Sequence, residues 1–573
     1  MNIFVKVYKI LPDYYKKRLP LLLLMIMGGT LLEALGLGAV LPAIAILSGQ
    51  YINLIKDYFP LLDGLSQNGL IMLVFVGLVG LYIFKSIYML YLTWIQNDFA
   101  FGLQADLSKK IYVYYINKEY MFHLNNNSSE LISHINGEVN TFTYQVVLPL
   151  TQVVTEITIL IGLVVLLFNV QPISSIFIIL FFFLLSVMYY KFFSNRLFNL
   201  GLSKQLHEAE KFKKVIQGLS GIREVKLHNV SDSFVKVFDK HNTASIYAGK
   251  IQQTINMVPR ILLELMAVFG VVILVFIMIY VEKKNPSGIV PSIAIFAAAA
   301  FRITPSINKL IISFQSIRYG TSSIEVLKKF NFRNIKSNQS RKFIPISFQR
   351  DIHLKNISFK YPTRNDYVFK NLTLRIKRGE SVGIFGPSGA GKSTLLDIIL
   401  GLVKPNTGLL LIDKKDIWSL HQNSSWQDCI GYVPQSIYLL DDSIIANVAF
   451  GIEAEKINYD LIIECLKKVD LYDFITTLPK GIFNYVGERG AQLSGGQKQR
   501  LGIARALYNK PTVLILDEAT SALDSNTEKN IMRTISGMHG KLTIIAVAHR
   551  LSTLDFCDYK IKISDKTASV LKK

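Results

Sequence analysis

The segment Gly386-Pro387-Ser388-Gly389-Ala390-Gly391-Lys392-Ser393-Thr394 has the residue types and spacing of a phosphate cradle. Its glycines let backbone N–H groups close around phosphate oxygens, and a following helix adds the positive end of its dipole. Lys392 would reach the outer phosphates and Ser393 would ligate Mg²⁺. The apolar run Val513-Leu514-Ile515-Leu516 ends in Asp517-Glu518, with Asp517 lying 125 residues after Lys392. Asp517 is suited to hold the Mg²⁺ shell, and Glu518 to act as the general base that polarises an attacking water. Between these segments stands Leu493-Ser494-Gly495-Gly496-Gln497, and after them His549. An apolar run ending in Asp-Glu is common at strand ends, so order and spacing carry the reading. Together they point to hydrolysis of a nucleoside triphosphate.

The flanking pattern supplies the elements that must position these groups. Ser381–Phe385 reads as a strand and 395–400 as helix, the strand–loop–helix context that a phosphate loop needs. Further strand-like segments at 352–360 and 372–376 give the mixed α/β pattern of a nucleotide-binding domain over 351–573. The stretch 321–350 is polar and basic and reads as a linker.

Residues 1–320 have a different character. Six stretches, about 19–48, 69–95, 142–168, 173–193, 257–281 and 287–312, are apolar enough to span a bilayer, which takes roughly 20 helical residues. The first is far longer than the apolar core of a signal peptide and reads as a span that stays. Eleven Lys or Arg lie between Lys191 and Lys250, whereas the loop 51–68 holds only Lys56. The positive-inside bias therefore puts the N-terminus, the long loops 96–141 and 194–256 and the ATPase domain in the cytosol. Both long loops keep helical spacing of apolar residues and read as extensions of the membrane helices. At 1.5 Å per residue they would carry turns near 119–129 and 218–230 roughly 30–40 Å from the bilayer, where an ATPase domain could be touched.

Half the residues are apolar and 18% are charged, a membrane-like mix. The formal charge of +22 is not gathered into one basic domain with interleaved aromatics, which argues against nucleic acid as a partner. The three cysteines, Cys429, Cys465 and Cys557, match no metal spacing and fit a reducing cytosol without a structural disulfide.

On these motifs the chain resembles an ATP-binding cassette (ABC) exporter half-transporter: a six-helix all-α transmembrane domain fused to a cytosolic α/β P-loop nucleotide-binding domain. Ser494-Gly495-Gly496-Gln497 resembles the ABC signature, which in the family binds the γ-phosphate of ATP held by the opposite subunit. The resemblance implies that Tyr361 stacks on adenine, that Gln435 senses Mg²⁺ and the membrane arms, and that His549 contacts the γ-phosphate. It also implies that Ser521-Ala522-Leu523-Asp524 is a dimer-contact loop and that Tyr485-Val486-Gly487-Glu488-Arg489-Gly490 faces the membrane arms. Since each ATP needs a loop from one domain and a signature from another, a homodimer binding ATP and Mg²⁺ is the assembly implied.

Cargo must be read from the membrane half. Ionisable residues in spans are costly and are candidates for function; here they are Glu33, Lys85, Glu156, Arg260, Glu264, Arg302 and Lys309. Arg302 and Lys309, seven apart, share a helix face. Arg260 and Glu264, one turn apart, can simply pair, and Arg260 can snorkel to the cytosolic surface. The stretches Glu33-Ala-Leu-Gly-Leu-Gly-Ala-Val-Leu-Pro42, Pro259-Arg260 and Phe301-Arg302-Ile-Thr-Pro305 resemble the lipid-linked oligosaccharide flippases of bacterial glycosylation (PglK type). So does the external segment 51–59, where Ile52, Ile55 and Phe59 fall on one helical face, either to meet a lipid tail at the membrane surface or merely to cap the turn. That resemblance implies a polyprenyl diphosphate-linked glycan as cargo in the bacterial inner membrane, with Lys85, Arg260, Arg302 and Lys309 on its path. Export of lipid A, drugs or peptides on the same fold stays open. A non-transporting or gating-only ABC ATPase is disfavoured by the fused spans and by intact Glu518 and His549.

Overall fold

The computed structural model of the protein describes residues 3–47, 67–170, 172–280, 286–332, 347–418, 423–519, 525–548 and 551–572. The chain forms two compact units, one of Met1–Lys118 with Asn125–Asn338, the other of Glu119–Leu124 with Gln339–Lys573.

The first unit is helical. Its long helices are α1 (Asp13–Leu47), α2 (Gln67–Ile116), α3 (Leu148–Val170), α4 (Pro172–Ser220), α5 (Ser231–Tyr280) and α6 (Pro286–Tyr319). Each covers one of the apolar stretches. α2, α4 and α5 reach 49 or 50 residues, far beyond what a bilayer needs, so polar helical arms extend from the spans. A short helix at Ile222–Leu227 forms the turn between the arms of α4 and α5. α1 packs on α2 and α3, α4 on α5, and α6 on α3, α4 and α5. Small residues permit the closest approach. A Cβ on Gly28 would stand 2.5 Å from Tyr88 Oη, and that hydroxyl donates to the Met25 carbonyl at 2.9 Å.

Two features depart from the sequence expectation. The run leading into α3 is not uniformly α-helical: Ser133–Glu138 and Thr143–Val147 are π-helical turns. Each wide turn shifts the register by a fraction of a turn, too little to disturb apolar periodicity over such a window. The expected linker 321–350 starts instead as a helix, Thr321–Leu327, in which all residues but Glu325 are buried. Its polar residues tolerate burial because their hydroxyls bond locally: Thr321 Oγ1 to the Ile317 carbonyl at 3.0 Å, and Ser323 Oγ to that of Gly320 at 2.7 Å.

The second unit holds two sheets. β1 (Asp351–Phe359), β2 (Phe369–Lys377), β4 (Thr407–Ile412) and β5 (Lys415–Asp416) form an antiparallel sheet in the order β2-β1-β4-β5. β3 (Ser381–Phe385), β6 (Ile430–Val433), β7 (Val513–Asp517), β8 (Thr543–Val547), β9 (Tyr559–Ser564) and β10 (Thr567–Lys572) form the other, in the order β10-β9-β3-β8-β7-β6. Within it β9, β3, β8, β7 and β6 run parallel. β7 and β8 are buried at every position, as expected where helices cover both faces of a parallel sheet. The short segment Glu119–Leu124 belongs to this unit, with Met121 packed on the apolar cluster around β1, β2 and β3.

Candidate nucleotide site

The site gathers at the carboxyl ends of the parallel strands, where such sheets place their ligands. β3 runs into the loop Gly386–Gly391 and helix α7 (Lys392–Ile399). Gly391 caps this helix at φ +99, and a Cβ there would lie 2.6 Å from Val368 Cγ1. Only glycine fits that backbone without strain. Lys392 is buried, and its Nζ donates to the carbonyls of Gly386 at 3.0 Å and Pro387 at 3.1 Å. Ser393 stands exposed in the first turn. Thr394 Oγ1 is 3.0 Å from Tyr361 Oη, so the aromatic side chain expected to meet the base is tied directly to the loop.

β7 delivers Asp517 buried at its end, followed by Glu518. Glu518 takes φ +51, a left-handed conformation rare for a residue with a Cβ, and its N–H donates to the Val547 carbonyl at 3.0 Å. Strain of this kind persists where the surroundings fix it, and it turns the carboxylate out of the strand. Gln435, two residues beyond β6, donates from Nε2 to Glu518 Oε2 at 2.8 Å. Residues 83 apart in sequence thus meet.

Two further groups were not foreseen. Asp397 in α7 has its carboxyl pushed up to about 6, first by burial and then by the charge of Asp517. Tyr432 on β6, its hydroxyl pKa raised mainly by burial, hydrogen-bonds Asp517. The available signal was a lone charge inside Leu395-Leu396-Asp397-Ile398-Ile399. Tyr120, in the short segment assigned to this unit, has its hydroxyl pKa raised by burial and then by Asp397 and Tyr361. The repulsion between the Asp397 and Asp517 carboxyls is of the kind a divalent cation relieves, so the residues fit such an ion.

Ser494 caps helix α8 (Gly495–Tyr508) in a reciprocal box: its Oγ accepts from the Gln497 N–H at 3.2 Å, and Gln497 Oε1 accepts from the Ser494 N–H at 2.8 Å. Among the described residues no hydrogen bond links Ser494–Gln497 to Gly386–Thr394. His549 and Ser521–Asp524 lie outside the described residues, as do 51–59 and the side chain of Arg302.

In the membrane unit three of the expected cargo cations, Lys85, Lys309 and Arg260, are paired. Lys85 Nζ lies 3.0 Å from Glu33 and Lys309 Nζ 2.9 Å from Glu156, both carboxylates being buried. Arg260 bonds Glu264 at 3.1 Å in an exposed pair.

A phosphate loop, an Asp-Glu strand end and a helix-capping signature on one α/β unit, joined to membrane-length helices, define a membrane-bound P-loop ATPase. Residues 369–521 match the family described as ABC transporter, and residues 27–302 match the ABC transporter transmembrane region. The chain belongs to the ABC transporter family. Its fold is that of a solved bacterial Atm1-family ABC exporter with ATP bound, at a TM-score of 0.79 over 97% of this chain and 95% of that one, with 21% identity. It is 42% identical over 236 residues to ABC transporter B family member 22 of Arabidopsis thaliana. It is 40% identical over 233 residues to ATP-binding cassette sub-family B member 5 of Mus musculus. These alignments cover 41% and 40% of this chain, and the chain spans only 19% and 18% of the length of those relatives. ABC multidrug transporter atrD of Emericella nidulans is 42% identical over 209 residues, which is 36% of this chain and 16% of that protein.

Proposed function

We propose that the protein is half of an ATP-driven exporter that works as a homodimer in the bacterial inner membrane, with its N-terminus and ATPase domain cytosolic. Its cargo is a polyprenyl diphosphate-linked oligosaccharide or a related lipid-linked anion. The observation that carries this is Lys309: its ammonium sits against buried Glu156, yet 57% of its side chain stays exposed, so it can meet a second anion. A cation kept in an apolar span without neutralisation from all sides needs a use. Lys85, by contrast, is 15% exposed beside Glu33 and would have to exchange a carboxylate for the diphosphate.

At the ATP site, Lys392 and the loop N–H groups take the outer phosphates, and Tyr361 takes the base. Mg²⁺ held by Ser393, Gln435 and Asp517 supplies neutralisation of phosphate charge. Glu518 aims a water and accepts its proton, and Gln435, bonded to that carboxylate, sets the aim. His549 steadies the γ-phosphate. Ser494–Gln497 of the second copy completes each site, because their exposed box is free to close on a partner's phosphates at a helix N-terminus.

The test is ATP-dependent translocation of a fluorescent lipid-linked oligosaccharide in proteoliposomes. A well-folded triple variant, Lys85→Gln, Arg302→Gln and Lys309→Gln, should lose it; normal rates would sink the cargo assignment. For the composite site, cysteines at Ser388 and Ser494 should crosslink between subunits only with ATP. Efficient crosslinking without nucleotide, unchanged on adding it, would count against the shared site. The multidrug name of one relative favours a second reading, an exporter of apolar drugs. Drug-stimulated ATPase activity without glycan-lipid translocation would select it.

A further inference from the structure

Pro259 stands inside α5. Having no N–H, it leaves the carbonyl of Ile255, four residues back, without its helical donor. In a membrane such a group must find another. Tyr189 of α4, itself buried, donates its hydroxyl to that carbonyl at 2.7 Å. The phenol pins α4 against the proline-interrupted segment, and beside this pin α4, α5 and α6 leave a groove of about 820 Å³. Its wall includes Met188, Phe192, Leu262 and Leu265, all exposed and apolar.

One charged residue lines the groove, Lys191, and no acidic one does. Among the described residues Lys191 makes no ion pair, whereas Arg260 close by is taken up by Glu264. Lys191 lies near the end of the apolar stretch 173–193, and Pro259 near the start of 257–281. The groove therefore sits at the cytosolic border of the bilayer, where basic side chains meet anionic headgroups.

We propose that this groove is a site for an anionic lipid of the cytosolic leaflet, one hydrocarbon chain lying along the apolar wall and the phosphate meeting Lys191. Charge decides the class: a zwitterionic headgroup offers an unpaired ammonium no net countercharge. The stem of Lys191 covers apolar surface while its end reaches the headgroup level, which places charge and chain within one molecule's reach. The site does not depend on which cargo the transporter carries.

The test uses the full-length protein in nanodiscs containing phosphatidylglycerol or phosphatidylcholine with a photoreactive diazirine on one chain. Crosslinks should map to 188–193 and 259–265. Unlabelled phosphatidylglycerol should compete about fivefold better than phosphatidylcholine, the worth of one lysine at a membrane surface. Lys191→Gln should abolish that preference while keeping the chain crosslinks, and Met188→Trp, filling the groove, should remove them. Circular dichroism and size-exclusion elution check that both variants fold. Crosslinks spread evenly over the helices, or a headgroup preference unchanged in Lys191→Gln, would overturn the proposal. Conversion of the dimer to monomer by Met188→Trp, with no loss of crosslinks, would assign the groove to a second copy and overturn it as well. Loss of glycan-lipid translocation with these crosslinks intact would bear on the cargo alone.

Discussion

The two halves of the molecule hold the charged groups of their candidate sites in different ways. In the ATPase unit, Lys392 is satisfied by backbone carbonyls of its own loop, and Glu518 by a glutamine amide, so each can exchange its partner for substrate at small cost. In the membrane unit, Glu33 with Lys85 and Glu156 with Lys309 are held by full opposite charges across helices. Neutral dipoles hold one set and full charges the other. A neutral partner is exchanged for substrate at small cost, while a full opposite charge within a helix bundle is given up only for another anion.

The largest effect expected from this contrast falls on Glu33. Glu33→Ala would strand the Lys85 ammonium between α1 and α2, and breaking one partner of a buried pair costs about 3–5 kcal/mol. Denaturant unfolding in micelles should show it, and a Glu33→Leu/Lys85→Leu double variant should recover most of the loss. A single variant as stable as the parent would mean that water reaches the pair, and the contrast would fail there.

Glu518→Gln comes next. It keeps the side chain's shape and its contact with Gln435 but removes the base, so turnover should fall on the order of a hundredfold while ATP binding is retained. Phosphate release and nucleotide-binding titrations separate the two. Near-normal turnover would give the role to another group.

A smaller loss is expected at Gly391. An alanine there must hold φ near +99 and find room 2.6 Å from Val368. Left-handed backbone costs about 1–2 kcal/mol before any clash, so a destabilisation of about 2 kcal/mol with weakened ATP binding should appear on thermal unfolding. Unchanged stability would show that the loop is softer than its glycines indicate.

The same contrast explains what the sequence could tell. The phosphate loop, the Asp-Glu strand end and the signature are contiguous strings whose chemistry and backbone needs coincide: Gly391 is glycine for both reasons. The hydrogen bond between Gln435 and Glu518 joins residues 83 apart and was not legible in the sequence. Asp397 was missed because its role depends on Asp517, delivered from another strand. In the membrane half, apolar length gave the helices, yet which carboxylate meets Lys85 or Lys309 depends on helix packing, which uniform hydrophobicity hardly encodes. The π turns at Ser133–Glu138 and Thr143–Val147 shift register by less than the pattern resolves, and the start of 321–350 read as linker because it is polar, whereas the Thr321 and Ser323 hydroxyls bond locally and so tolerate burial.

The smallest effect is also the most discriminating. Ser494 serves α8 as an N-cap, so Ser494→Ala should cost about 1 kcal/mol, a shift of roughly 2–4 °C in the unfolding of a domain this size. That loss alone would not separate a cap from a phosphate ligand, because either role fails in alanine. Aspartate separates them. It caps a helix as well as serine does, so Ser494→Asp should restore the unfolding temperature. A carboxylate facing the phosphates of a partner's nucleotide would be repelled, so hydrolysis should stay low in the stable variant, and ATP-dependent crosslinking from Ser388 to a neighbouring signature position should be lost. Recovery of hydrolysis together with stability would make Ser494 a cap and nothing more, and the signature's link to the second copy would then have to run through Gly495, Gly496 and Gln497.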